Sequence, residues 1–306
     1  MGGEPASGRT AELAAAISAL EPLLGERAGE PVPLDGGITN RNYRAHFGDG
    51  EYVIRFAGKD TAMLGIDREA ERLASEAAAL LGIAPRLAAT LPDGLVTEFV
   101  PSTQLPADEM RSEPRAIAQA LRRFHDEGPE LPTRFHVPAL LHEYAAIVEA
   151  RGGSLPEQYA PTQEAIARIE SAVGGTRLRP CHNDLLNGNL LRSDDGRVLI
   201  VDWEYAGMND PYFDLGNLSV NNGFDREDDE RLLSAYLDAR PGPGERARLA
   251  LMRLMSDARE AAWGVAQLVL SDLDFDFAGY ASKHFDRLAG GLEQPELEGW
   301  LDAAAA

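Results

Sequence analysis

The chain reads as an α+β protein with a bilobal layout: a small β-rich amino-terminal lobe, then a larger, mainly helical one. Three observations predict it. Between residues 34 and 100, short alternating apolar runs are separated by Gly-Asp and Asp-Gly turn signals, as in antiparallel hairpins. Beyond residue 106 the apolar spacing changes to that of amphipathic helices. One further hairpin interrupts the helical half and carries acids and carboxamides at its base. The lobes are expected at 1–100 and 107–306, joined by a proline-flanked connector at 101–106, with a ligand cleft between them.

In chain order, Thr10 is placed to cap an alanine-rich helix running to about Leu24. Pro31 and Pro33 then interrupt the chain. Asn42 to Phe47 and Glu51 to Phe56 alternate around Gly48-Asp49-Gly50 and form a hairpin. Ile66 to Leu81 is helical in pattern, ended by Gly82 and followed by Pro85. Arg86 to Thr90 and Leu95 to Val100 pair across Pro92-Asp93-Gly94. Helices are expected at Glu113 to His125, Pro138 to Glu149 and Glu157 to Val173, and again from Tyr212 to the end. No internal repeat is present.

Composition bounds the function. At 306 residues, with 44% hydrophobic and 26% charged residues, the chain is an ordinary globular protein. Its 50 acidic residues outnumber 29 basic ones, for a net charge of −21. Such a surface repels nucleic acid and anionic membranes, and suits a cationic small molecule as partner. Only two lysines occur, Lys59 and Lys283, so arginine must do most of the cationic work. The single cysteine, Cys181, excludes an intramolecular disulfide and fits a reducing compartment. With no basic-apolar leader after Met1 and no run of 18 apolar residues, a cytoplasmic location is expected. The oligomeric state stays open.

The chemistry concentrates in His182-Asn183-Asp184-Leu185-Leu186-Asn187-Gly188-Asn189 and Val201-Asp202-Trp203. Apolar runs between them flank Asp195-Gly196, a hairpin signal. A two-residue loop there would set Asn189 directly across from Asp202, with Asp184 on the loop entering the first strand. Oxygen ligands converging at one hairpin base suit a hard cation such as Mg²⁺ set against a polyphosphate. In the first lobe, Leu34-Asp35-Gly36-Gly37-Ile38-Thr39-Asn40 precedes a strand. Gly36 and Gly37 let backbone N–H groups approach phosphate oxygens, and Thr39 and Asn40 add side-chain donors. Arg55, in Tyr52-Val53-Ile54-Arg55-Phe56, is the cation for the phosphates, held by a helix carboxylate. Glu71 is the first choice for that carboxylate and Glu69 the second; Lys59 is less well placed. The plainer alternatives are a Gly-Gly turn, an exposed strand arginine and a hairpin with polar ends.

Taken together, Gly-Gly-Ile-Thr-Asn, Val-Ile-Arg, a helix with Glu71, His182-Asn183-Asp184 with Asn189 five residues on, and Asp202-Trp203-Glu204-Tyr205 resemble the choline/ethanolamine kinase family. That family belongs to the aminoglycoside-phosphotransferase branch of the protein-kinase-like fold. Ile66-Asp67-Arg68 and Gly82-Ile83-Ala84-Pro85 resemble its bacterial members. The resemblance covers about residues 34 to 290 and is most specific over 180 to 217. It implies an ATP- and Mg²⁺-dependent kinase in which Asp184 orients or deprotonates the acceptor hydroxyl, and Asn189 and Asp202 hold the metal. Gly37, Thr39, Asn40, Arg55 and Glu71 would serve the nucleotide phosphates. Glu98 to Val100 would be the hinge against which adenine packs. His182 would support the catalytic loop, and Asp214 and Asn217 would brace it.

An ammonium is well held by aromatic faces with carboxylate nearby. Glu204, Tyr205, Trp263 and Tyr280 are the candidate acceptor-site residues, with Tyr212, Asp210 and Asp272 as further possibilities. Against eukaryotic choline kinases the chain departs at Leu186, Asn221 and Ala266, which thins the expected ammonium cage. The implied acceptor is a small amino alcohol, choline or ethanolamine. The alternative on the same fold is another metabolite: an aminoglycoside, an amino sugar or thiamine. From other classes come a metal-dependent phosphoesterase using Asp184, Asp202 and His182, and a nucleotide-binding module without turnover.

Overall fold

In a computed structural model, residues 6–34, 40–58, 61–175 and 177–305 are described. The expected phosphate-loop residues Gly36, Gly37 and Thr39, and Lys59, lie outside them.

Helix α1 (Ala6–Leu24) leads into β1 (Arg27–Leu34), β2 (Arg41–Phe47) and β3 (Gly50–Phe56). Then come α2 (Arg68–Leu80), β4 (Leu87–Leu91) and β5 (Gly94–Glu98). These strands form one antiparallel sheet in the order β1-β2-β3-β5-β4. Two points differ from the sequence reading. Thr10 lies inside α1 rather than at its cap, because the Ala-Ser-Gly-Arg stretch before it is also helical. Pro31 and Pro33 do not break the chain but sit within β1, at the edge of the sheet, where a missing N–H leaves no central ladder bond open. The inner face of the sheet buries Phe47, Ile54, Phe56 and Val96 against Ala16 and Leu20 of α1.

Helix α2 has clear punctuation. Asp67 caps it by accepting from the backbone N–H of Glu69 (2.9 Å) and Ala70 (3.0 Å), and Gly82 turns left-handed at its end (φ +73°). Ala74 and Ala78 on its inner face join a core with Leu190, Ile200 and Trp203 of the second half. The helix carrying Glu71 is thereby packed against the later hairpin.

The 101–106 connector is not featureless: it contains β6 (Ser102–Gln104), which pairs with the later hairpin strand β8. Helices α3 (Ala107–Ser112), α4 (Arg115–Glu127), α5 (Val137–Ala150) and α6 (Tyr159–Val173) follow. Then come β7 (Arg179–Cys181), β8 (Leu190–Ser193), β9 (Val198–Ile200) and β10 (Gly207–Asn209). The chain ends in α7 (Pro211–Asn221), α8 (Arg226–Leu237), α9 (Pro243–Leu270), α10 (Phe277–Leu292) and α11 (Leu297–Ala305). Strands β6-β8-β9 form one small sheet and β7-β10 another. Helix α9 is the axis of the helical lobe; Leu251, Met255, Ala258, Ala262 and Val265 sit in its largest core. Among the described residues, no helix is long and apolar enough to cross a membrane.

Candidate active site

The hairpin register differs by one from expectation. Leu190 pairs with Ile200 and Arg192 with Val198, so the loop has three residues, 194–196. Asp195 Oδ1 accepts from Ser193 Oγ (2.5 Å) and Arg197 N–H (3.3 Å), and Gly196 takes φ +88°, the left-handed place such a loop reserves for glycine. Asn189 therefore faces Val201, whose N–H donates to its carbonyl (3.0 Å). Asp202 lies one residue beyond, in a left-handed conformation itself (φ +66°). That backbone turn returns its carboxylate to the site: Asn189 and Asp202 still line the same two cavities.

The loop before β8 is rigidly held. Asp214, at the start of α7, accepts from the backbone N–H of His182 (2.8 Å) and Asn183 (2.7 Å). Asn217 Oδ1 accepts from Leu185 N–H (2.5 Å), and Asn222 donates to the Leu185 carbonyl (3.1 Å). Asn183 takes φ +68°, a conformation asparagine adopts more readily than most residues, and its side-chain amide donates to the Tyr205 carbonyl at 3.0 Å. His182 is fully buried; its Nε2 donates to the Val201 carbonyl (3.0 Å) and its Nδ1 accepts from Asp184 N–H (3.2 Å). Burial lowers its pKa, so it is a neutral brace, as its position in the loop suggested.

Asp184 is 7% exposed. Burial pushes its carboxyl up to about 7 against the pull of Arg259, with Glu260 and Glu204 raising it further. Desolvation under the packed loop and the two further acids together outweigh the arginine. Asn189 donates to the Asp184 carbonyl (2.8 Å), which turns its own Oδ1 the other way.

From the sheet, Arg55 makes ion pairs with both Glu71 and Asp202. Burial lowers its pKa to about 10, partly offset by Glu204, so it stays cationic at neutral pH. Glu69, the second candidate, pairs instead with Arg72 at the surface (2.7 Å). Asn40 donates to Asp202 (3.2 Å). Thus Arg55, Glu71, Asn40 and Asp202, drawn from four separate segments, form one cluster.

Two cavities flank this cluster. The first, about 320 Å³, lies between the large sheet and the β6-β8-β9 sheet, with Val53, Ala84, Leu191 and Ile200 among its walls and Glu98 to Val100 at its rim. The second, about 40 Å³, is lined by Asp184, Glu204, Tyr205, Glu260, Trp263 and Tyr280, with Leu186 and Arg259. Asn189 and Asp202 line both cavities; Asp184 lines only the second.

The model of the phosphotransferase enzyme family matches residues 30–251. Ethanolamine kinase 2 of Mus musculus is 30% identical over 291 residues, covering 82% of this chain and 73% of that protein. The crystal structure of a choline/ethanolamine kinase family protein from Mesorhizobium loti superimposes with a TM-score of 0.82 at 32% identity, covering 97% of this chain and 99% of that one.

The chain belongs to the choline/ethanolamine kinase family.

It is a small-molecule kinase. The crystal structure of choline kinase LicA from Streptococcus pneumoniae is also similar, with a TM-score of 0.79 and 27% identity over 92% of this chain and 99% of that one.

Within this kinase, the candidate aromatic residues Tyr205, Trp263 and Tyr280 meet in the second cavity, and Tyr212 does not. Tyr212 packs on Tyr236 (6.3 Å between centroids) and under Arg248. Asp210 caps α7 and pairs with Arg248 (2.7 Å) instead of lining the cavity. Asp272, Asn221 and Ala266 also lie outside its lining. The residues missed from sequence are Arg259 and Glu260. With Ser256 and Asp257 just before them, they read in sequence as a solvated face of α9, and only the fold shows them buried.

The donor set fits a hard divalent cation: a carboxamide oxygen and a carboxylate face the boundary of the two cavities, leaving coordination positions for phosphate oxygens and water. His125, Cys181 and Asp214 are also close enough together to bind metal. Asp214 is already saturated there by His125 (2.9 Å) and two backbone N–H groups, and burial keeps the Cys181 thiol protonated.

Proposed function

We propose that this kinase transfers the γ-phosphoryl group of ATP, with Mg²⁺, to the hydroxyl of a small amino alcohol of the choline or ethanolamine type. One observation carries the reading: a nucleotide-sized cavity and a small acid- and aromatic-lined cavity share a wall made of Asn189 and Asp202, with Asp184 only on the far side. Phosphoryl transfer needs alignment and charge neutralisation more than covalent chemistry.

In this reading Glu98 to Val100 border the base, and Arg55, oriented by Glu71, faces the phosphates. Asn189 Oδ1 and the Asp202 carboxylate hold Mg²⁺, which when bound neutralises phosphate charge. Asp184 accepts a hydrogen bond from the acceptor hydroxyl, fixes it in line, and takes its proton as the new O–P bond forms and the bond from the γ-phosphorus to the bridging oxygen breaks, releasing ADP. Arg259, 3.3 Å from Asp184, steadies that carboxylate without reaching the nucleotide cavity.

The test is a screen of acceptors with purified protein, ATP and Mg²⁺, following ADP release. Saturable turnover with an amino alcohol is expected, and Asp184→Ala should lower kcat by about 10²–10⁴-fold while nucleotide affinity is kept. Turnover with sugars or aminoglycosides alone would refute the acceptor assignment. Phosphate release from phosphoesters without nucleotide would favour a hydrolase.

A further inference from the structure

We infer that the acceptor cavity selects a primary ammonium over a quaternary one, so that the substrate is a short primary amino alcohol of the ethanolamine kind; this rests on the amino-alcohol reading above. A quaternary ammonium carries no N–H. It is held by open ring faces and diffuse negative charge. A primary ammonium brings three donors, and it is well held only where acceptors await them.

The ring faces here are already in use. The guanidinium of Arg259 lies 4.2 Å from the centroid of the Tyr205 ring, an internal cation on the face an onium would need. Arg259 is fixed there by Asp184 (3.3 Å) and Glu260 (3.0 Å). Trp263 donates its Nε1–H to the Tyr205 hydroxyl (3.0 Å) and meets Tyr280 edge-on, with centroids 5.5 Å apart. Tyr280 donates to Glu260 (2.7 Å) and packs on His284 at 4.6 Å. These rings form a braced wall, not an open cage.

An acceptor, by contrast, stands ready. Glu204 is 4% exposed, lines the cavity, and its Oε2 has no hydrogen-bond partner. Arg68, at 4.0 Å, sits at the limit of an ion pair with it. A buried carboxylate oxygen left unsatisfied is costly, and an incoming N–H satisfies it. The cavity wall carries four carboxylates (Asp184, Asp202, Glu204 and Glu260) against Arg259, so a cation is favoured there.

The deciding experiment measures kcat/KM, by ADP release at saturating Mg·ATP, for ethanolamine, its N-methyl and N,N-dimethyl derivatives, and choline. A decline at each methylation is expected, reaching about tenfold or more between the ends of the series, the size of one forfeited buried hydrogen bond. Equal or higher kcat/KM with choline overturns the proposal. Absence of turnover with all four amines, in protein that still gains thermal stability from Mg·ATP, defeats the amino-alcohol reading itself, and the selectivity falls with it. Glu204→Gln adds a second arm. It should raise the ethanolamine KM by about tenfold and change the choline KM far less, narrowing the ratio. Equal changes in both KM values would assign Glu204 a merely structural role and remove the stated basis of selection.

Discussion

Asp184 sits where burial and a fixed arginine pull in opposite directions, and burial prevails. Its folded pKa, about 7, lies above the roughly 3.9 of an unfolded aspartate. The folded chain therefore holds a proton that the unfolded chain lacks between about pH 4 and 7, so this group's contribution to stability falls as pH rises through that window and is fully unfavourable above it. Asp184→Asn should accordingly be inactive yet more stable than the parent, by about 1–2 kcal/mol at pH 8, with the gain shrinking toward pH 5. Thermal melts at the two pH values check this; an equal or larger gain at pH 5 would contradict it. At this scale much of the site was legible. Asp184, Asn189 and Asp202 are nearly contiguous in sequence, and Arg55 and Glu71 follow from a lone cation on a strand before an acidic helix. Arg259 and Glu260 were not, because a charged pair on a helix ordinarily marks a solvated face. Only the packing of α9 against α7 and α10 reveals that they are buried.

Elements were legible where local chemistry sets them and less so where distant pairing does. Asp67 and Gly82 mark the ends of α2 in the sequence itself. Strand β6 owes its existence to β8, nearly ninety residues later, and no local pattern announces it. The one-residue shift of the β8–β9 register came from the Asp195 side chain, which stabilises a wider loop than Asp-Gly alone implies. The crossing of α7 over α9 depends on Gly216, where an added Cβ would meet the backbone of Met252 at 2.6 Å and Arg253 at 2.8 Å. Gly216→Ala should thus cost about 1–3 kcal/mol of stability. Because Asp214 and Asn217 flank it and hold the loop that carries Asp184, the proposed role of that loop requires kcat to fall more than KM rises. Denaturant unfolding and steady-state kinetics on the variant test both parts; an unchanged midpoint would show the crossing to be more yielding than its geometry.

At the scale of the molecule, the two halves meet through the apolar packing of α2 on the hairpin and through an electrostatic cluster that ties the sheet to Asp202. Arg55 and Asn40 come from one side and Asp202 from the other. A nucleotide and its cation seated there would grip both halves at once. Mg·ATP at about 100 times its Kd should then raise stability by about 2.7 kcal/mol, visible as a Tm shift. Chelation with EDTA, or Asp202→Ala, should remove most of that shift; a full shift persisting in EDTA would argue that Asn189 and Asp202 hold no metal. The bilobal layout was legible because hairpin and helical periodicities occupy separate stretches of chain. The polar part of the seam was not, since its charges come together from four segments.

The lone thiol offers one more consequence. Cys181 ends β7, opposite Gly207, sealed from water immediately upstream of the loop that carries Asn183 and Asp184. Alkylating reagents can reach it only when that ribbon breathes, and no second sulfhydryl competes for them. The unaltered protein thus carries its own reporter of motion beneath the Asp184 loop, read as a modification rate that a bound nucleotide should slow.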